Sequence, residues 1–113
     1  MITIYHNSRC SKSRGGLAYL EEKGVEFTVR QYLNNPLTFD ELKLLIAKTG
    51  LTPDDIVRKN EDYYKKNLKG KELSADELIE EMVKEPRLIE RPIVEKGDKA
   101  VVARPVENID QLF

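Results

Sequence analysis

Ile2-Thr3-Ile4-Tyr5-His6-Asn7-Ser8-Arg9-Cys10-Ser11-Lys12-Ser13-Arg14 opens this chain, and the fold is read outward from it. Alternation over residues 2–5 predicts a strand, and the polar loop after it leads into a helix from about Ser11 to Lys23. Leu17 and Leu20 face inward on that helix, and Gly24 fits its stop. Gly15 and Gly16 sit in the first turns, where each costs about 1 kcal/mol against alanine. Either the backbone packs closely there or the helix starts loosely. Val25-Glu26-Phe27-Thr28-Val29-Arg30-Gln31 alternates as a second strand, ended by Asn34-Asn35-Pro36. The first third is therefore a βαβ unit.

The middle third is helical. Thr38 with Glu41 forms a capping box ahead of Leu42, Leu44, Leu45 and Ile46, and Gly50 closes the helix. Thr52-Pro53-Asp54-Asp55 starts a short helix, with threonine as cap and proline at the first position. Glu61 to Lys71 is polar and reads as irregular, with Tyr63 and Tyr64 available to dock on neighbouring helices. Ser74 with Glu77 is a second capping box, opening a helix through about Lys84 that carries Leu78, Ile79, Met82 and Val83. Beyond Pro86, residues 92–95 and 99–103 read as an antiparallel hairpin turning at Lys96-Gly97-Asp98. A final amphipathic helix carries Val106, Ile109, Leu112 and Phe113. The order βαβ, three helices, ββα predicts one α/β domain over residues 1–113. With the helical insertion of approximately 38–85 set aside, the layout is thioredoxin-like: a mixed four-stranded sheet covered by helices.

Composition narrows the function classes. The 113 residues hold 19 basic and 20 acidic side chains, a formal net charge of -1, so no global field recruits nucleic acid or anionic membrane. No apolar run reaches membrane-span length and the N-terminus lacks a signal region, so a soluble, cytoplasmic protein is expected. A single cysteine agrees with a reducing compartment. One cysteine and one histidine do not make up a metal-ligand set.

That cysteine, Cys10, stands where a strand loop gives way to a helix, among Arg9, Lys12 and Arg14. Thiolate is the nucleophilic form, and helix N-terminal N–H groups with nearby cations lower a cysteine pKa from about 8.5. The surrounding charge also argues against a buried structural role. No second thiol exists, since Ser13 fills the second place of a Cys-x-x-Cys, so any covalent intermediate on Cys10 must be resolved by an external thiol. A dithiol mechanism is thereby excluded, and Gly16 excludes the Cys-x5-Arg phosphatase loop. His6, four residues before the thiol, either lowers its pKa or is a strand-end histidine satisfied locally. Asn7 and Ser13 read as hydrogen-bond organisers of the loop. Arg14, on the first helical turn, either supports the site or faces solvent or pairs with a neighbouring carboxylate.

Four segments in series, residues 6–14, Val57-Arg58-Lys59-Asn60, Glu90-Arg91-Pro92-Ile93-Val94 and Ala103-Arg104-Pro105, resemble the arsenate reductase (ArsC) family of the glutaredoxin-coupled type. The resemblance covers nearly the whole chain. It implies a thioredoxin-like fold with a helical insertion, Cys10 as nucleophile, and Arg58, Arg91 and Arg104 as oxyanion-binding arginines. It also implies arsenate or a similar oxyanion as substrate, glutathione as co-substrate with no bound cofactor, glutaredoxin as partner, and a monomer. Guanidinium forks suit a tetrahedral oxyanion better than lysine does. Arg91 and Arg104 each precede proline, which biases them to extended backbone. Pro92 resembles the cis-proline that packs beside the active cysteine in thioredoxin-like folds.

Two other readings share this fold. Regulators of the Spx type bind RNA polymerase and commonly sense redox through Cys-x-x-Cys, which Ser13 removes here. A single-thiol, glutathione-linked oxidoreductase with arsenate as an incidental ligand is the other.

Overall fold

The computed structural model describes all 113 residues. The chain divides into two compact units, Met1–Asn35 with Arg91–Phe113, and Pro36–Glu90.

In the first unit, the alternating run at the N-terminus forms β1 (Ile2–Tyr5), followed by α1 (Ser11–Lys23) and β2 (Thr28–Arg30). β1 and β2 are parallel, in the register Thr3 to Thr28 and Tyr5 to Arg30. β2 is shorter than the alternation of residues 25–31 predicts, because β1 offers partners only to Thr28, Val29 and Arg30. Val25 and Phe27 instead pack on the apolar core. The hairpin comprises β3 (Ile93–Lys96) and β4 (Lys99–Val102), with Gly97 in the left-handed region at φ 63°. β3 also pairs antiparallel with β1, so the sheet order is β2-β1-β3-β4. This mixed four-stranded sheet is the thioredoxin-like arrangement.

Ile2, Ile4, Leu20, Val94, Ala103, Ile109 and Leu112 form the core of this unit. The chain ends in a 3₁₀ segment, Val106–Leu112, rather than an α-helix. Three residues per turn keep Val106, Ile109 and Leu112 on one line, and the last two are buried. The segment is tied to α1 through Asp110, which accepts from the Tyr19 hydroxyl at 2.9 Å and pairs with Lys23 at 2.8 Å.

The second unit contains α2 (Phe39–Thr49), α3 (Pro53–Ile56) and α4 (Ala75–Lys84). Each begins with a complete capping box, Thr38 with Glu41, Thr52 with Asp55 and Ser74 with Glu77. α4 packs against α2 and α3. It buries Leu78, Ile79 and Met82, while α2 buries Leu42, Leu45 and Ile46. The polar stretch read as irregular contains a π turn, Tyr64–Leu68, in which the Lys69 N–H donates to the Tyr64 carbonyl at 2.8 Å. Its Tyr63 hydroxyl donates to Glu81 at 2.8 Å, which places that tyrosine against α4. No helix is long and apolar enough to cross a membrane.

Candidate active site

Cys10 is the N-cap residue of α1. An ordinary cap would offer a side-chain oxygen to the free N–H groups of the first turn, as Thr38, Thr52 and Ser74 do in α2, α3 and α4. Cys10 makes no such cap, and the first turn of α1 carries no acidic residue, whereas the other three helices carry two each. The N-cap side chain is instead a thiol. Burial pushes the thiol pKa up, but the backbone N–H groups of Ser13 and Lys12 and the hydrogen bond and charge of Arg91 outweigh it. The thiol is held below its ordinary value, and its anion is the form these groups favour.

The loop before the helix is braced by its own side chains. Ser13, fully buried on α1, accepts the Asn7 N–H at 2.9 Å and meets His6 Nδ1 at 2.8 Å. The Asn7 side chain accepts the Arg9 N–H at 3.0 Å, and the Cys10 N–H donates to the Asn7 carbonyl at 3.0 Å. Arg14 Nη1 donates to the Ser8 carbonyl at 2.9 Å. Asn7 and Ser13 thus organise the loop, and Arg14 closes it over the helix start.

His6 is buried, and burial is the main cause that lowers its pKa; a hydrogen bond at Ser13 pushes the other way and the Arg14 charge lowers it further. Burial thus favours the neutral imidazole over its cation. Its observed contact in the loop is the one to the Ser13 hydroxyl.

Arg91 and Pro92 precede β3, and the peptide bond between them is cis. Pro92 is buried against α1, where Gly16 gives it room: a Cβ on Gly16 would lie 2.8 Å from Pro92 Cγ and 3.5 Å from Ile4 Cδ1. This decides between the two readings of the glycine pair, for Gly16 marks a close backbone approach and Gly15 has nothing within 4 Å. The structure thus brings Cys10, Ser13, His6, Asn7, Arg91 and Pro92 together. Arg104, after β4, is exposed; its N–H donates to the Val102 carbonyl at 2.9 Å, and the Arg104-Pro105 bond is also cis.

Arg58 belongs to the unit of residues 36–90 and lies two residues beyond α3. Its Nη1 donates to Glu61 Oε2 at 2.8 Å, and its Nε is 3.9 Å from Glu90 Oε1. No motif in the sequence marks these carboxylates as partners of Arg58. The signal for Glu61 was its spacing three residues after Arg58, whereas Glu90 is distant in sequence.

Residues 5–112 match the ArsC family. The arsenate reductase of Neisseria meningitidis is 43% identical over 114 residues, covering 99% of this chain and 97% of the relative. An arsenate reductase of Escherichia coli K12 is 41% identical over 113 residues, covering 99% of this chain and 80% of the relative. The solved structure of arsenate reductase from Vibrio cholerae superposes with a TM-score of 0.94 at 40% identity, covering 99% of this chain and 97% of that one. A thiol at an uncapped helix start, an arginine beside it, and this extent of likeness lead to one conclusion: the chain belongs to the ArsC family.

Proposed function

We propose that this protein reduces arsenate to arsenite, with Cys10 as the nucleophile and an external thiol as electron donor. The observation that carries the proposal is the depressed thiol of Cys10 at the start of α1, flanked by Arg91. The names of the relatives supply the substrate. In the first step the thiolate attacks arsenic(V), an S–As bond forms, and an arsenate oxygen leaves as water after protonation. Arg91, with Arg58 and Arg104 as the family resemblance implies, neutralises the oxyanion. Glutathione then attacks the Cys10 sulfur. The S–As bond breaks with its electron pair on arsenic, arsenite leaves, and a mixed disulfide between Cys10 and glutathione remains. Glutaredoxin returns Cys10 to the thiol by exchange. His6, Asn7, Ser13 and Arg14 hold the loop, and Pro92 the seat of Arg91.

Arsenite production, assayed with glutathione and glutaredoxin each present and absent, tests the proposal. Cys10→Ser should abolish the activity, since a serine hydroxyl is barely ionised at neutral pH. Replacing Arg91 or Arg104 by alanine should cost about 10²–10³ in rate, the scale of one lost oxyanion donor. Arg→Lys should rescue in part, because lysine keeps the charge and loses the fork. Wild type at background level would overturn the arsenate reading, and undiminished activity in Cys10→Ser would discard the nucleophile.

A further inference from the structure

The backbone around Arg58 is pinned on both sides. The Arg58 N–H donates to the Leu88 carbonyl at 2.7 Å, the Glu90 N–H donates to the Ile56 carbonyl at 2.8 Å, and Val57 pairs with Ile89 in an antiparallel bridge. Two extended segments therefore run side by side, one carrying Arg58 and the other Glu90. The side chain is fixed as firmly. Nη1 donates to Glu61 Oε2 at 2.8 Å and reaches the Arg87 carbonyl at 3.5 Å, while Nε faces Glu90 Oε1 at 3.9 Å. Only 16% of the Arg58 side chain is exposed. Nη2, with two N–H groups, makes no hydrogen bond or ion pair with the protein.

A planar guanidinium hydrogen-bonded at Nη1, with a carboxylate at ion-pair distance from Nε and no protein partner at Nη2, is a donor set aimed before its ligand arrives. We infer that Glu61 is a positioning residue, whose carboxylate grips Arg58 Nη1 and thereby presents the Nη2 edge to an oxyanion. The inference rests on Arg58 being an oxyanion ligand, as proposed above. Arginine has many rotamers, and the bond to Glu61 restricts them in advance, so the anion does not have to. The same carboxylate also sets a negative charge near the ligand. Geometry and charge therefore pull in opposite directions, and two conservative variants separate them.

Glu61→Gln keeps an acceptor oxygen at the same reach and loses the charge. Glu61→Asp keeps the charge and draws the oxygens back by one methylene. Arsenate KM and kcat, measured on the full chain with glutathione and glutaredoxin, are compared among wild type, both variants and Arg58→Ala. Positioning predicts a KM for Glu61→Gln within about threefold of wild type, and for Glu61→Asp a KM about tenfold higher with little change in kcat. A lower KM in Glu61→Gln with an unchanged Glu61→Asp would overturn the inference, making the carboxylate a competitor of the anion. Unchanged Glu61 variants beside a raised KM in Arg58→Ala would overturn it while leaving Arg58 as a ligand. An unchanged KM in Arg58→Ala would remove the reading of Arg58 itself.

Discussion

Alanine at position 16 and alanine at position 15 should move stability in opposite directions, although both replace a glycine inside α1. Gly→Ala within a helix is worth about 1 kcal/mol, because alanine has less backbone freedom to lose. At Gly15 no atom comes within 4 Å of the new methyl, so the gain stands alone and Gly15→Ala should be about 0.5–1 kcal/mol more stable. At Gly16 the methyl would lie 2.8 Å from Pro92 Cγ, well inside the contact distance of about 3.5–4.0 Å between carbons. A proline ring cannot rotate aside. Overpacking of this kind costs about 1–3 kcal/mol, which exceeds the helix gain and leaves Gly16→Ala about 0–2 kcal/mol less stable than the parent. Urea denaturation should therefore separate the two variants by roughly 0.5–3 kcal/mol. Pro92 follows Arg91, so its displacement also loosens the guanidinium from the Cys10 sulfur. The midpoint of iodoacetamide reactivity against pH should rise in Gly16→Ala and stay fixed in Gly15→Ala. Equal stabilities, or a Gly16→Ala more stable than Gly15→Ala, would refute the packing argument.

Cys10 should be alkylated with an apparent pKa below the free value of about 8.5, and Arg91→Ala should raise it; a wild-type midpoint at or above that value would contradict the site. Burial pushes the folded thiol up but is outweighed by the Ser13 and Lys12 N–H groups and Arg91, so the folded pKa lies below the unfolded one. The unfolded chain then binds more protons between the two values. This contribution to stability is full above about 8.5 and is lost as pH falls through the folded value, a rise with pH that Cys10→Ala should flatten in urea midpoints. Ser13→Ala strands the Asn7 N–H and the His6 ring in a buried site and should cost about 2 kcal/mol or more, read by the same denaturation. Thr38→Ala and Ser74→Ala should each cost about 1 kcal/mol by removing a cap.

What the sequence made legible were the interactions that close within a few residues. The caps at Thr38 and Ser74 and the stops at Gly24 and Gly50 fall where the local pattern puts them, because cap and orphan backbone group lie within one turn. Strand ends were less legible. The length of β2 is set by β1, so the alternation of residues 25–31 overstates it. The closing segment was read as amphipathic, and its type was encoded in the spacing of three between Val106, Ile109 and Leu112, which suits 3₁₀ better than α. In the site, Cys10 was found because a lone thiol among cations at a helix start is a local pattern. The grip of Ser13 on His6 and the pairing of Arg58 with Glu90 were not, since each depends on where a folded loop or a distant segment returns.

The bare start of α1 sets a trap for anyone seeking a hardier protein. Surface redesign would place aspartate or glutamate at Lys12, the second helical position, where the other three helices already carry an aspartate, and would gain helix stability from the macrodipole. The same carboxylate would stand beside the sulfur, favour the protonated thiol and repel an incoming anion. A melting-temperature screen would select such variants, and a reactivity screen would reject them. Heat resistance is therefore better sought in the capped helices of residues 36–90 or at Gly15, leaving the first turn of α1 unfinished.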